Sequence, residues 1–344
     1  MATIARAANV SQGAISSLLN DRDYGIRVSL KTRDRVFKVC RELGYIPNDL
    51  RAVVRMYPDL GETCLLVSSK VPGGLLNPFV ARASGALMAN SPRQPASLAL
   101  AFYEEARDYG PDDPLPFPLK NAIASRIIFI GAANASVCWV AHHRGHPVIA
   151  LGHTAHIPGS TSVVPDYLGA ARLALGLFVK HGHKHVGVVG GPFGGPDPRF
   201  AELDRAIGMA AQELGLQMEA QDIFHGNLTF ESGVEALYSL LGRTTPPTAV
   251  LCLSETAATG VLAGAHARGI SVPGKLSVIA VADHEGTLPS CLPLTAVALP
   301  VEEMAATALR EADRQLRAGL PVDAQKLVVG VKLLERMTCG PAAA

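Results

Sequence analysis

No stretch of the 344-residue chain approaches the roughly 20 consecutive apolar residues that a bilayer-spanning helix needs, and Arg6 is followed by no long apolar run of the secretory type. A cytoplasmic protein without a membrane partner is therefore expected. Cysteine is sparse: the six residues Cys40, Cys64, Cys138, Cys252, Cys291 and Cys339 show no C-x-x-C spacing, so reduced and mostly buried thiols are expected. No nucleophile elbow, phosphate loop or glycine fingerprint stands in a strand-turn-helix context, so neither catalysis nor a cofactor is expected. The doublets Gly190-Gly191-Pro192 and Gly194-Gly195-Pro196 read as turns. Net charge is also nearly absent, at +1, but it is unevenly spread. Residues 1–61 hold 10 Lys/Arg against 6 Asp/Glu, a net +4, and the remainder carries a net −3.

That basic end carries a pattern. Ile4, Ala5 and Ala8 recur at helical spacing, and Asn9 then stands where the chain must turn sharply, a residue that tolerates left-handed backbone. Ser11 is placed to cap a second helix in which Ile15, Leu18 and Leu19 form an apolar back. Its polar front, Gln12, Gly13, Ser16 and Ser17, is the candidate recognition surface. Ser29 can cap a third helix that turns Val36, Val39, Cys40 and Leu43 inward and carries Lys31, Arg33, Arg35, Lys38 and Arg41, until Gly44 ends it. Three short helices around one small core, a helix-turn-helix, are expected.

The run Ile4 to Ser11, then Ile15-Ser16, Leu19-Asn20, Val28-Ser29, Thr32-Arg33, Arg35-Val36 and the block Gly44-Tyr45-Ile46-Pro47-Asn48 resembles the headpiece of the lactose-repressor (LacI/GalR) family. The resemblance implies a transcription regulator that binds a pseudopalindromic double-stranded DNA operator as a homodimer, under control of a small effector, a sugar or related metabolite. DNA contacts are implied at Ser11, Gln12, Gly13, Ser16, Ser17, Asn20 and Arg33. In the family a hinge helix follows the headpiece and wedges a leucine into the minor groove. Here that region offers Asn48, Arg51 and Arg55, with Val54 at the wedge position. A chain that has kept small-molecule binding but lost useful DNA binding is the alternative. Ser17 standing where many relatives carry arginine, the shorter Val54 wedge, and a chain opening only two residues before the first helix favour it.

At this length two or three domains are expected. From Thr63 onward, strands at 64–68, 97–102, 126–131, 147–152, 185–189, 249–253 and 276–281 alternate with helices at 77–90, 135–143, 169–180, 201–214, 229–241 and 257–268. Such alternation predicts parallel, doubly wound sheets. Gly169-Ala170, Gly182-His183, Arg205 with Gly208, Phe230 to Gly233, Pro293-Leu294-Thr295 and the ending around Arg336 extend the resemblance along the chain. The implied fold is an all-α headpiece (1–48), a hinge (49–61) and an α/β core (62–344) of two Rossmann-like lobes of the type I periplasmic-binding-protein kind, facing a cleft. The first lobe is expected at 62–162 and 286–320, the second at 163–285 and 321–344. Pro111 to Pro118 reads as a rigid, turn-rich insertion.

Ligands of open α/β sheets sit beyond the carboxyl ends of the strands. On the family's pattern the effector residues fall at Phe79, Arg205, Leu228, Glu255 and Asp283. A guanidinium fork at Arg205 suits hydroxyls or a carboxylate. Leu228 replaces a common aromatic, Ser254-Glu255 an Asn-Asp pair, and Ala282 the first of two aspartates. His181, His183 and His185 alternate, but such residues point in different directions, and no metal site is expected.

Overall fold

The computed structural model describes residues 1–20, 28–45, 62–71, 73–91, 98–109, 124–143, 146–155, 157–191, 198–282, 293–318 and 324–342. The expectations for Asn48, Arg51, Val54, Arg55, Asp283, Cys291 and the 111–118 insertion lie outside the described residues.

Helices α1 (Ala2–Ala7), α2 (Gln12–Asn20) and α3 (Leu30–Glu42) share a core of Ile4, Ala5, Ala8, Ile15, Leu19, Val36, Phe37 and Cys40. Asn9 takes φ +48° between the first two helices, the left-handed turn for which its side chain suits it. Gly44 closes α3 at φ +63°. Leu43, expected inward, is instead exposed at the cap just before that turn, and Phe37 supplies the buried bulk.

The chain divides into two compact units, the first of which begins at Met1 and takes in these three helices. The first contains β1 (Glu62–Ser68), α4 (Pro78–Ala89), β2 (Leu98–Tyr103), β3 (Ala124–Ile130), α5 (Ala135–His143), β4 (Val148–Leu151) and β5 (Ser160–Pro165). The second contains α6 (Tyr167–Lys180), β6 (Val186–Gly190), α7 (Pro198–Glu213), β7 (Ile223–His225), α8 (Phe230–Leu241), β8 (Ala249–Cys252), α9 (Glu255–Ala267), β9 (Ser277–Ala282) and β10 (Thr295–Ala298). Three elements complete the pair: α10 (Val301–Ala318), β11 (Gln325–Val329) and β12 (Lys332–Leu334). One sheet has the order β11-β5-β4-β3-β1-β2 and the other β12-β10-β9-β8-β6-β7. Strands β2-β1-β3-β4-β5 run parallel, as do β7-β6-β8-β9-β10, while β12 closes its sheet antiparallel. Two doubly wound lobes, as expected, are thus built on one repeated strand order.

The lobe boundaries differ from expectation. Residues 293–304 belong to the second unit, because Thr295 to Ala298 pair with β9, and the passage to the first unit falls within α10, between Met304 and Ala305. The return falls within β11, between Lys326 and Leu327.

Polar anchors fix the outer elements. On β5, Ser160, Thr161 and Ser162 are all buried, and Thr161 accepts a hydrogen bond from Gln315 of α10 at 2.8 Å. Arg126, buried in β3, donates from Nε to Asp313 of α10. In the second unit His183 is buried, with Nδ1 2.9 Å from Thr248 Oγ1 and Nε2 3.0 Å from the Gly340 carbonyl. A carbonyl only accepts, so Nε2 carries the proton and Nδ1 accepts from Thr248. His185 faces Asp222 at 3.0 Å, so neighbouring histidines of the run serve separate contacts.

Candidate functional site

The helix-turn-helix presents α2 as an amphipathic rod. Ala14, Ile15 and Leu19 are buried, while Ser11 and Gln12 are exposed at its start and Gly13, Ser16 and Ser17 are half-buried. Ser11 Oγ accepts from the Ala14 amide at 3.1 Å, the cap its position predicts. That bond fixes where α2 begins and so which side chains leave its first turn. Ser29 caps α3 in the same way, accepting from Thr32 N at 3.2 Å. On α3, Lys31, Arg35, Lys38 and Arg41 are exposed. Arg33 is half-buried with Nε 3.5 Å from Asp34, and Lys38 is 3.9 Å from Glu42. Exposed pairs of this kind are weak enough to yield to phosphate.

In each lobe the strand order reverses beside one strand, β1 in the first and β6 in the second, and ligand loops of doubly wound sheets gather at the carboxyl ends there. Beyond β1 and β3 the structure places Glu105. Its carboxylate accepts from Ser68 Oγ and, at 3.3 Å, from the Ala132 amide, and lies 3.7 Å from Lys70 Nζ. Asn134 holds the loop after β2 by donating to the carbonyls of Glu104, Glu105 and Arg107 at 3.1, 3.0 and 2.7 Å. Gly131 is required beside it, since it sits at φ +100° and a Cβ would lie 2.4 Å from that of Ser68. In the second lobe Ser254 Oγ donates to the Leu228 carbonyl at 3.0 Å and caps α9 by accepting from Ala257 N at 3.0 Å. The loops after β7 and β8 are thereby tied together, and Leu228 is held at φ +60°.

Comparison with known proteins joins these two halves. Residues 1–48 match the model of bacterial regulatory proteins of the lacI family, and residues 175–339 match a periplasmic binding protein-like domain. The first 48 residues are thus a lacI-family headpiece, and the second match is a periplasmic binding protein-like core. The HTH-type transcriptional repressor CytR of Escherichia coli (strain K12) is 28% identical over 323 residues, covering 90% of this chain and 87% of that protein. Catabolite control protein A of Priestia megaterium is 27% identical over 315 residues, 89% of each. Among solved structures, a LacI transcriptional regulator from a Rhodococcus species superposes with TM-score 0.65 at 22% identity, covering 82% of this chain and all (100%) of that one. The regulator CelR in complex with cellobiose gives TM-score 0.66 at 21% identity, covering 97% and 98%. The chain is accordingly a DNA-binding transcription regulator and not an enzyme. No helix among the described residues is long and apolar enough to cross a membrane.

The regulator assembles only part of its expected effector set within the described residues. Leu228, half-buried against the second-lobe core, and Glu255, half-buried at the first position of α9, are brought together through Ser254. Arg205 is exposed on α7, whose Leu203, Ala206, Ile207 and Ala210 face the core. Phe79, half-buried in the first turn of α4, belongs to the other unit, and its amide is capped by Asn77 at 3.0 Å. Asn20 ends α2. Glu105 and Lys70 were not singled out by residue type. The signal that finds them is positional, each being a charged residue two places beyond the end of one of two adjacent parallel strands.

Proposed function

We propose that this regulator is a repressor that binds a pseudopalindromic operator as a homodimer in the cytoplasm, and that a small metabolite of the sugar class, held by the strand-end loops, controls it. The observation that carries the DNA half is the capped start of α2, where Ser11 and Gln12 stand exposed over a buried seam. A side chain with a fixed origin can discriminate base edges, and the α3 cations serve phosphates. Homodimerisation is supported by an apolar patch on the first unit: Leu75, Leu76 and Phe102 are exposed, and a Cβ on the adjoining Gly74 would lie 3.7 Å from the Phe102 ring. The sugar class is supported by the cellobiose bound to CelR and by carboxylates at the strand ends, Glu105 and Glu255, which suit hydroxyl donors. Arg205, Leu228, Asp283 and Phe79 complete the proposed effector contacts, and Asn48, Arg51, Val54 and Arg55 the hinge contacts to DNA.

Genome-wide capture with the purified protein, followed by titrations on recovered sites at two salt concentrations, tests this reading. A shared pseudopalindrome is expected. Gln12→Ala is expected to weaken it by about 1–3 kcal/mol, whereas Arg33→Ala weakens all sequences alike and lowers the salt slope by about 1. No enriched motif overturns the operator half and leaves a small-molecule-binding protein.

A further inference from the structure

One face of α10 carries guanidinium groups about a turn apart. Arg310, Asp313, Arg314 and Arg317 line a hollow of about 510 Å3 in the first unit. The nearby carboxylates are committed to internal contacts. Asp313 accepts from the buried Arg126 of β3. Glu311 accepts from Arg314 Nε and Nη2, each at 2.7 Å, and from Gln315 at 2.8 Å. The Arg314 bonds hold the Glu311 carboxyl below its ordinary range, so the pair stays ionised. Counting Arg126, four guanidinium groups face two carboxylates, which leaves a net charge of +2. Arg310 Nη2 donates to Thr307 Oγ1 at 2.8 Å, which aims it, and Arg317 is exposed. Among the described residues neither pairs with a carboxylate.

Like charges at this helical spacing repel, and the repulsion is relieved by an anion that touches several of them. Arginine forks match phosphate and carboxylate two bonds at a time, and a fork already oriented by the protein loses less freedom on binding. The volume falls within the roughly 300–1,000 Å3 of small-molecule sites. None of the described strand-end residues lines the hollow. We propose that it is a second ligand site, for a small anion bearing two phosphate or carboxylate groups, distinct from the sugar-class site proposed above.

The test is calorimetric titration of the full chain with pyrophosphate, citrate and inorganic phosphate at near-physiological salt, using wild type, Arg310→Gln, Arg317→Gln and the double variant. Both side chains are exposed, so circular dichroism is expected to be unchanged. Saturable binding of pyrophosphate or citrate is expected, about tenfold or more tighter than inorganic phosphate. Each single substitution weakens it by about tenfold, and the double variant abolishes it. Pyrophosphate alone binding marks a phosphate ligand, and citrate alone a carboxylate one. Unsaturable binding, inorganic phosphate bound as tightly as pyrophosphate and citrate, or an unaltered double variant overturns the site. Because binding is read directly, these outcomes are independent of operator recognition.

Discussion

Helices α8 and α9 meet backbone to backbone, so one substitution placed at two helical glycines should have opposite effects. A Cβ built on Gly260 falls 2.0 Å from the Phe230 carbonyl oxygen, and one on Gly233 falls 2.0 Å from that of Ala257, whereas one on Gly208 of α7 meets nothing within 4 Å. Alanine in a helix interior is worth about 0.8–1.0 kcal/mol over glycine, so Gly208→Ala should stabilise by up to that amount. At Gly260 the same gain is set against moving one helix away from the other until 2.0 Å becomes an ordinary contact of 3.4 Å or more. Overpacking of that kind costs about 1–3 kcal/mol and sometimes more, so Gly260→Ala should be destabilising. Thermal unfolding followed by circular dichroism should then move the two midpoints in opposite directions, by about 2–4 °C per kcal/mol for units of this size. Because α9 is capped by Ser254, whose hydroxyl holds the Leu228 carbonyl, Gly260→Ala should also weaken binding of the proposed effector. Equal stabilisation by both alanines would refute the close approach.

Asn9→Val should destabilise the headpiece by about 1–2 kcal/mol through its left-handed φ while Asn9→Gly is tolerated, as read by amide exchange of α1 and α2. Burial holds His183 below its ordinary range, opposed by its bond to the Gly340 carbonyl. The unfolded chain therefore binds the extra proton first, and stability present above a pH of about 6.5 is lost as pH falls through that value toward the lowered folded one. His183→Gln should flatten that slope between pH 5 and 7.5 in melting experiments. Asp313→Leu alone leaves Arg126 buried without its carboxylate and should cost about 3–5 kcal/mol, whereas Arg126→Met with Asp313→Leu should recover most of it. Urea titrations read by Trp139, the single tryptophan and a residue of the same unit, measure the cycle, and equal losses in both proteins would sink the buried-charge argument.

The elements that the sequence announces are those with one dominant signal. Strands β1, β3, β4 and β8 are short runs of buried aliphatic residues, and α1 to α3 carry caps that the structure uses. Strand β5 is silent because its buried Ser160, Thr161 and Ser162 look like a turn until their partners, Gln315 and the Ala155 amide among them, are known. The edge strands β7, β11 and β12 are short and half-exposed, without alternation to read. Helix α10 is not among the expected elements, although Val301, Met304, Ala305, Ala308, Leu309 and Ala312 repeat at helical spacing and are all buried. On the candidate site, Ser11, Gln12 and the α3 cations follow from local pattern alone. Glu105 does not, because what recommends it is the neighbouring strand, which lies far away in sequence.

The passage of the chain from one unit to the other inside β5, α10 and β11 has a consequence for inherited truncation. A stop codon after Lys326 leaves most of the first unit intact, with only the end of β11 removed. The same codon strips the second sheet of β12, of Thr338, whose hydroxyl donates to the Val278 carbonyl at 2.7 Å, and of the Gly340 carbonyl that receives His183. Late nonsense alleles should therefore yield a protein with a sound headpiece and first lobe attached to an unravelled second one. In the homodimeric repressor proposed above, such subunits would pair with normal partners and spoil them, giving dominant rather than recessive loss of control.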